Sequence, residues 1–372
     1  MNLQKRELRI IISGGGTGGH IFPAVSIAQA LQRLHPHCDL LFVGANGRME
    51  MEKVPAAGYK IVGLDIAGFQ RRLAFSNLLL PFRIIKSLFD ARKIIRDFKP
   101  DAVVGVGGYA SGPLLFAASM MGIPSLIQEQ NSFAGVTNRI LSKRAKKICV
   151  AYDGMEKYFP AGKIIITGNP VREDLSDLAG KKSEALKYFQ LAADKPVLLV
   201  IGGSLGARTI NQAIGNGLKK FIENDVQLIW QTGKSGFVAA KELVNTLGYP
   251  SIKVYDFISK MDFAYAAATA VVSRAGASSV SELALAEKAA ILVPSPNVAE
   301  DHQTKNAMAL TKKDAAILVS DNDAGSQLVN KAMSLIHDTE KISLLQSSIA
   351  KMALRGASTI IAKEVCRLAE SK

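Results

Sequence analysis

The chain is poor in cysteine and in aromatic residues. Its 372 residues include three Cys and one Trp, and Phe, Trp and Tyr together make up 6%. Cys38, Cys149 and Cys366 lie far apart with no CxxC or metal-ligand spacing, which argues against a disulfide framework and fits a reducing compartment. Few aromatics mean little surface for stacking bases, which weakens a single-strand nucleic-acid reading despite a net charge of +14. No GxxxxGK[ST] pattern occurs, so P-loop NTPase chemistry is disfavoured. The opening MNLQKRELRIII reaches a Gly-rich turn too soon for a secretory signal. Long uninterrupted apolar runs are also missing. Residues 102–128 hold no charge, but five glycines and two prolines break the segment up, as expected of strand, loop, short helix and strand rather than a membrane span.

What is present is a globular mix, 48% hydrophobic and 21% charged, long enough for about two domains. Charge is unevenly placed: residues 1–167 carry 22 Lys and Arg against 11 acids, and residues 168–372 carry 24 against 21. A basic half beside a nearly neutral one points to an anionic partner for the first half: nucleic acid, phospholipid headgroups or a phosphorylated substrate.

Short β-branched runs alternate with longer helical patterns. Strands are expected at 8–13, 39–43, 102–106, 125–127, 147–150 and 164–167, then at 196–201, 227–231, 252–255, 270–273, 290–293 and 316–319. Such alternation implies an α/β protein with parallel, doubly wound sheets. Each series opens on a strand that runs into a Gly-rich turn, so two similar halves are expected, with the joint near TGNPV at 167–171. The expected domains are 1–167 and 168–357, with a helix at about 358–370 returning to the first.

Four loops have the composition to approach phosphate: SGGGTGGH at 13–20, GVGGYASG at 105–112, GGSLGA at 202–207 and SRAGASSVSE at 273–282. Glycine lets backbone N–H groups come close to an anion, and a following helix adds its dipole. The first loop is not a clean GxGxxG, and no acid ends the next strand, which counts against ordinary dinucleotide binding.

Together with QEQNSFAGVTNR, TGNPVR and EDHQTKNA, these loops, in this order across residues 13 to about 307, resemble the MurG family of N-acetylglucosaminyltransferases. The resemblance implies a GT-B fold of two Rossmann-like domains facing a cleft, the second binding most of the donor. It implies inverting transfer of GlcNAc from UDP-GlcNAc to the 4-hydroxyl of lipid I. By the same carry-over, Ala277, Ser278, Ser279, Val280 and Ser281 hold the donor diphosphate. Glu282, expected in the first helical turn, accepts from ribose hydroxyls. Ser204 contacts phosphates or base, Ile258 meets uracil through its backbone, Arg172 neutralises diphosphate charge, and Gln303 and Asn306 read the sugar. Asn131, Thr17, Gly18 and Gly19 complete the donor site, while Gly14, Gly15, Gly107, Gly108 and Tyr109 lie on the acceptor side.

Inverting transfer needs a group to take the acceptor proton. His20 leads, with acceptor-phosphate contact or helix capping as its other roles. Glu129 is a weaker candidate, with a structural role in its polar turn as the alternative. Asp321-Asn-Asp323 is read as a solvated turn, so no protein metal site and no tightly bound cofactor are expected, with room for a free divalent cation on the diphosphate. Residues 78–99 combine Leu78–Phe82, Ile85 and Phe89 with a basic stripe, and peripheral contact with an anionic membrane on its cytoplasmic face is expected there. The resemblance leaves room for cell-wall and division proteins as partners and none for nucleic acid. Two other readings stay open: another GT-B transferase acting on a lipid or a UDP-GlcNAc epimerase, and a non-catalytic nucleotide- or nucleic-acid-binding module.

Overall fold

A computed structural model describes residues 7–66, 80–203, 206–298 and 301–371, without the side chains of residues 80–82 and 173. The chain forms two compact units, Met1–Val171 with Gly356–Lys372, and Arg172–Arg355.

The first unit is built on β1 (Arg9–Ser13), β2 (Asp39–Ala45), β3 (Lys60–Leu64), β4 (Ala102–Gly105), β5 (Ser125–Glu129), β6 (Lys147–Val150) and β7 (Ile164–Ile166). They form one sheet in the order β3-β2-β1-β4-β5-β6-β7, and each pair is parallel. The second unit has β8 (Val197–Ile201), β9 (Gln227–Gln231), β10 (Ile252–Tyr255), β11 (Ala270–Ser273), β12 (Ala290–Leu292) and β13 (Ile317–Leu318). Their order is β10-β9-β8-β11-β12-β13, again parallel throughout. The twelve expected strands are all present to within two residues. The strand that was not anticipated is β3, an edge strand in which one residue is buried and whose short KIVGL run carries a glycine.

Central strands such as β4 and β8 are buried along their whole length, as helices on both sheet faces require. In β1 the pleat divides the side chains. Ile10 and Ile12 join the cluster with Ile27, Leu31, Ile361 and Val365, while Ile11 packs with Ala91, Ile95 and Leu114 on the opposite face. The last helix, Ala357–Glu370, therefore belongs to the first unit's core. Gly356, at φ +71°, turns the chain into it.

The first unit runs to Val171, the last residue of the TGNPV stretch. Thr167 and Gly168 donate to Val150 O at 3.0 and 3.2 Å, Asn169 bonds to Gln128 and Gln130, and Val171 is buried. These bonds keep residues 167–171 with the first sheet.

One buried cation in the second unit carries a cost. Lys288 Nζ donates to Ala268 O at 3.0 Å, and burial, with a smaller push from Lys182, lowers its pKa from 10.5 to about 8. Between those values the unfolded chain still binds a proton that the folded one has lost, so stability rises with pH across that window. Lys288→Met is expected to stabilise the second unit by about 2 kcal/mol near pH 7. It should also flatten the rise between pH 8 and 10.5 in urea titrations.

Candidate functional site

In a doubly wound sheet the chain leaves the two strands flanking the reversal of order in opposite directions, opening a crevice at their carboxyl ends. Here those strands are β1 and β4, paired through Ser13 and Gly105, and β8 and β11, paired through Ile201 and Ser273. The four glycine-rich loops follow these four strands, one pair to each unit.

In the first unit the two loops meet backbone to backbone. A Cβ on Gly108 would lie 2.5 Å from Gly15 O and 2.9 Å from Gly15 N. One on Gly107 would lie 2.9 Å from His20 Nε2. Both glycines also hold positive φ, +93° and +87° for Gly107 and Gly108, so no other residue fits here without strain. Gly14 is packed as closely, with Val106 Cγ2 2.7 Å from a would-be Cβ. Thr17 and Gly19 are exposed at the start of the helix Gly18–Leu34, Gly18 is half-buried, and Tyr109 is 50% exposed.

His20, in the first turn of that helix, places Nδ1 3.0 Å from Gly15 O and 3.4 Å from Thr17 Oγ1. A carbonyl oxygen only accepts, so this bond puts the proton on Nδ1 and the lone pair of the neutral ring on Nε2. The geometry gives His20 the tautomer of a base whose Nε2 lies beside Gly107.

Two buried glutamates shape the surroundings. Glu129, 2% exposed, accepts from Asn131 N at 3.0 Å, Asn131 Nδ2 at 3.3 Å, Gly135 N at 3.1 Å and Asn138 Nδ2 at 2.8 Å. A carboxylate offers about four acceptor positions, so Glu129 is occupied with folding the loop after β5. It holds Asn131 in place and is not poised to take a proton. Glu50 did not stand out in the sequence. It is 1% exposed and accepts from Gly16 N at 2.7 Å and Ala45 N at 3.0 Å.

In the second unit the helix Ala277–Leu285 starts from extended Gly276. Glu282 therefore sits in the second helical turn and not the first, because the helix already begins at Ala277. Ala277 and Val280 face the core, and Ser279 and Ser281 are half-buried. Ser278 Oγ is buried and, among the described residues, has no hydrogen-bond partner. An orphaned hydroxyl beside the N–H groups of a helix start is suited to receive an anionic oxygen.

Glu282 accepts from the buried Tyr265 hydroxyl at 3.4 Å. Burial raises its pKa above the ordinary carboxylate value, against the lowering pull of Arg172 and Tyr265, with Asp174 adding to the rise. Arg172 reaches Ser259 O at 3.5 Å. Ile258 is 3% exposed and its N–H donates to Gln231 Oε1 at 3.0 Å, so the backbone expected to meet a base already has an internal partner for its proton. Gln303 Oε1 accepts from Ser295 N at 2.8 Å, a bond that does not use its amino group. Asn306 is fully buried and donates to Ala275 O at 3.3 Å, which gives it a part in holding the loop before Ala277. Ser204 lies outside the described residues.

The acidic turn at 321–323 is not simply solvated. Asp321 pairs with Arg274 at 2.5 Å and accepts from Thr209 Oγ1 at 3.0 Å, while Arg274 also donates to Val293 O and Pro294 O. Asp323 accepts from Ser320 Oγ at 2.6 Å. This ion pair, which ties the loop after β11 to the turn after β13, had no local sequence signal because its partners are 47 residues apart.

The glycosyltransferase family 28 N-terminal domain matches residues 10–150, and that family's C-terminal domain matches residues 197–362. The chain is 57% identical to the UDP-N-acetylglucosamine--N-acetylmuramyl-(pentapeptide) pyrophosphoryl-undecaprenol N-acetylglucosamine transferase of Parabacteroides distasonis, over 99% of this chain and 100% of the relative. It is 51% identical to the protein of the same name from Christiangramia forsetii, with the same coverage. Among solved structures, MurG of Acinetobacter baumannii aligns with a TM-score of 0.78 at 31% identity, over 97% of this chain and 99% of that one. The UDP-GlcNAc 2-epimerase of Neisseria meningitidis, solved with UDP-GlcNAc bound, reaches 0.64 at 15% identity over 97% and 100%. That second likeness is one of fold alone.

Removing the Glu129 carboxylate leaves four donors without their acceptor. Glu129→Ala is expected to destabilise the first unit by about 3 kcal/mol in urea unfolding, with Glu129→Gln recovering part of the loss. A change of less than about 0.5 kcal/mol would refute the loop-building role.

Proposed function

The chain belongs to glycosyltransferase family 28, in its MurG branch, and from that membership we infer that it is a UDP-GlcNAc-dependent N-acetylglucosaminyltransferase. It moves GlcNAc from UDP-GlcNAc to the 4-hydroxyl of undecaprenyl-pyrophosphoryl-MurNAc-pentapeptide, forming lipid II for peptidoglycan with inversion at the anomeric carbon. The observation that carries the reading is the end-to-end match at 57% identity with a relative that bears this activity in its name.

In the mechanism that follows, the first unit serves the acceptor and the second the donor. The acceptor hydroxyl gives its proton to His20 Nε2 as its oxygen attacks the anomeric carbon, and the bond to UDP breaks with the electron pair leaving on the diphosphate. The helix start at Ala277 and the Ser278 hydroxyl offer hydrogen-bond donors where that charge collects, and Arg172 adds a fixed cation. The orphaned Ser278 Oγ supports this assignment. Glu282, with acceptor capacity beyond its one long bond from Tyr265, suits a ribose diol. The reading requires no tightly bound cofactor, and a divalent ion carried on the diphosphate is compatible with it.

An acceptor with a polyprenyl tail has to be met at a membrane surface. No described helix is long and apolar enough to cross a membrane. The helix Leu80–Phe98 instead buries Ser87, Ala91 and Ile95 and exposes Ile84, Ile85 and Phe89, the last at 68%. Arg83, Arg92, Lys93 and Arg96 are exposed on the same helix. Leu78 and Leu79, and the side chain of Phe82, lie outside the described residues. Apolar side chains ringed by cations support peripheral binding to anionic lipid, on the cytoplasmic face where UDP-sugars are found.

The decisive assay mixes the purified protein with labelled UDP-GlcNAc and a short-chain lipid I analogue. A β-linked disaccharide product is expected; binding of UDP-GlcNAc without transfer would point to epimerase chemistry or another acceptor. His20→Ala should lower kcat by about 10²-fold or more, the range typical of a lost general base. Glu282→Gln should instead raise KM for UDP-GlcNAc by roughly tenfold, the equivalent of one charge-assisted hydrogen bond. For the membrane face, the double variant Ile85→Ser/Phe89→Ser should weaken sedimentation with phosphatidylglycerol vesicles at least about tenfold. Unchanged sedimentation would move the contact elsewhere.

A further inference from the structure

Glu50 is a buried acid that the mechanism above does not use. It sits at the start of the helix Glu50–Ala56, after β2, and its two oxygens accept from different strand-end loops: Oε1 from Ala45 N at 3.0 Å and Oε2 from Gly16 N at 2.7 Å. Space for it is built into two other positions. A Cβ on Gly15 would collide with its carboxylate, and one on Gly44 would lie 2.5 Å from its Cγ.

The Gly16 N–H that Glu50 binds belongs to the same peptide unit as the Gly15 carbonyl. In a planar trans peptide these two groups point in opposite directions, so fixing one aims the other. The carbonyl is aimed at His20 Nδ1, 3.0 Å away, and is backed by Gly108, whose would-be Cβ lies 2.5 Å from the same oxygen. The connection runs from carboxylate to N–H, through the amide to C=O, and on to the imidazole N–H. An anion at one end of such a series polarises each hydrogen bond along it. The carbonyl becomes a better acceptor, the proton is held on Nδ1, and the lone pair is kept on Nε2.

We propose that Glu50 is a positioning residue for His20, acting through the Gly15–Gly16 peptide to fix the imidazole tautomer and orientation. It does the work usually done by a carboxylate bonded directly to histidine, with one peptide unit interposed. The proposal rests on the reading of His20 as the base, but its structural half can be measured without turnover. Gly15 and Gly16 have no side chains to hold the peptide plane, so the anionic acceptor on the Gly16 N–H is what opposes a flip of the unit from that side. That flip would turn an N–H towards His20 and reverse the tautomer preference.

The test uses the full-length protein labelled with 15N-histidine, with the His20 signals assigned by their loss in His20→Ala. Long-range 1H–15N correlations followed through a pH series report which ring nitrogen carries the proton of the neutral ring. The wild type is expected to show the Nδ1–H form. Glu50→Gln presents an amino group where one of two acceptors was, and should lose that preference. It should also lose about 10²-fold in kcat with KM for UDP-GlcNAc changed less than threefold, because most of the proposed donor contacts come from other residues, in the second unit. Should Glu50→Gln be too unstable to study, the wild-type tautomer remains decisive, since an Nε2–H ring would overturn the proposal outright. An Nδ1–H ring in both proteins with equal kcat would also overturn it. The tautomer shift without any activity loss in His20→Ala would leave the positioning intact and defeat the base assignment instead.

Discussion

Backbone contact between Gly15 and Gly108 is the constraint on which the loop arrangement of the first unit depends. The loops after β1 and β4 can lie that close only because Gly108 carries no side chain, and the approach closes the floor of the crevice between the two strands. His20 bonds to the Gly15 carbonyl, Gln130 reaches across from β5 to Val106 O at 2.7 Å, and the helix Gly18–Leu34 begins from the same turn. A methyl group on Gly108 would run into the Gly15 backbone, and one on Gly15 would run into the Glu50 carboxylate, so either would disturb the turn from which His20 is held.

The second unit reaches a comparable crevice by other means. Its loop after β11 is held by an ion pair, with Arg274 gripping two backbone carbonyls and Asp321. The side chains of the pair are 14% and 17% exposed, so losing either partner would strand a poorly solvated charge, an effect worth about 3–5 kcal/mol when such pairs are broken. With the loop fixed on one side by Arg274 and on the other by Asn306, the helix start at Ala277 presents N–H groups and hydroxyls with no carboxylate in its first turn. That suits an anionic ligand. An acid in the first turn would have competed with the ligand for the same helix dipole.

Periodicity and glycine placement made most of the fold legible in advance. Buried parallel strands read as β-branched runs because both faces are covered, and twelve of them stood out for that reason. The edge strand β3 did not, since an exposed edge need not be apolar. The positions of the loops were equally readable, but the side chains that hold them were not. Glu50 is one acid in the polar stretch GRMEMEK, and only its burial against Gly15 and Gly44 distinguishes it. Asp321 looked like turn chemistry because its partner, Arg274, is distant in sequence. In each case the missing information is a tertiary contact, which local patterns do not encode.

Three buried or half-buried glutamates in this chain show how hydrogen-bond accounting separates scaffold from site. Glu129 takes four donors and Glu50 takes two backbone N–H groups, one on each oxygen, at 3.1 Å or less apart from the 3.3 Å amide of Asn131. Glu282 takes one hydroxyl at 3.4 Å, beyond the ordinary O–H···O range. A carboxylate whose positions are filled by the backbone has little left to offer a ligand, and its removal is felt as lost structure. One that is buried yet poorly satisfied has its pKa pushed up by burial, and it gains from hydroxyls brought in by a ligand. The same criterion applied to hydroxyl groups picks out Ser278, four residues before Glu282 and so on the same face of the helix. An orphaned donor at the helix start and an under-satisfied acceptor one turn later can together meet a ligand that is anionic at one end and rich in hydroxyls at the other, the pattern of a nucleotide's diphosphate and ribose.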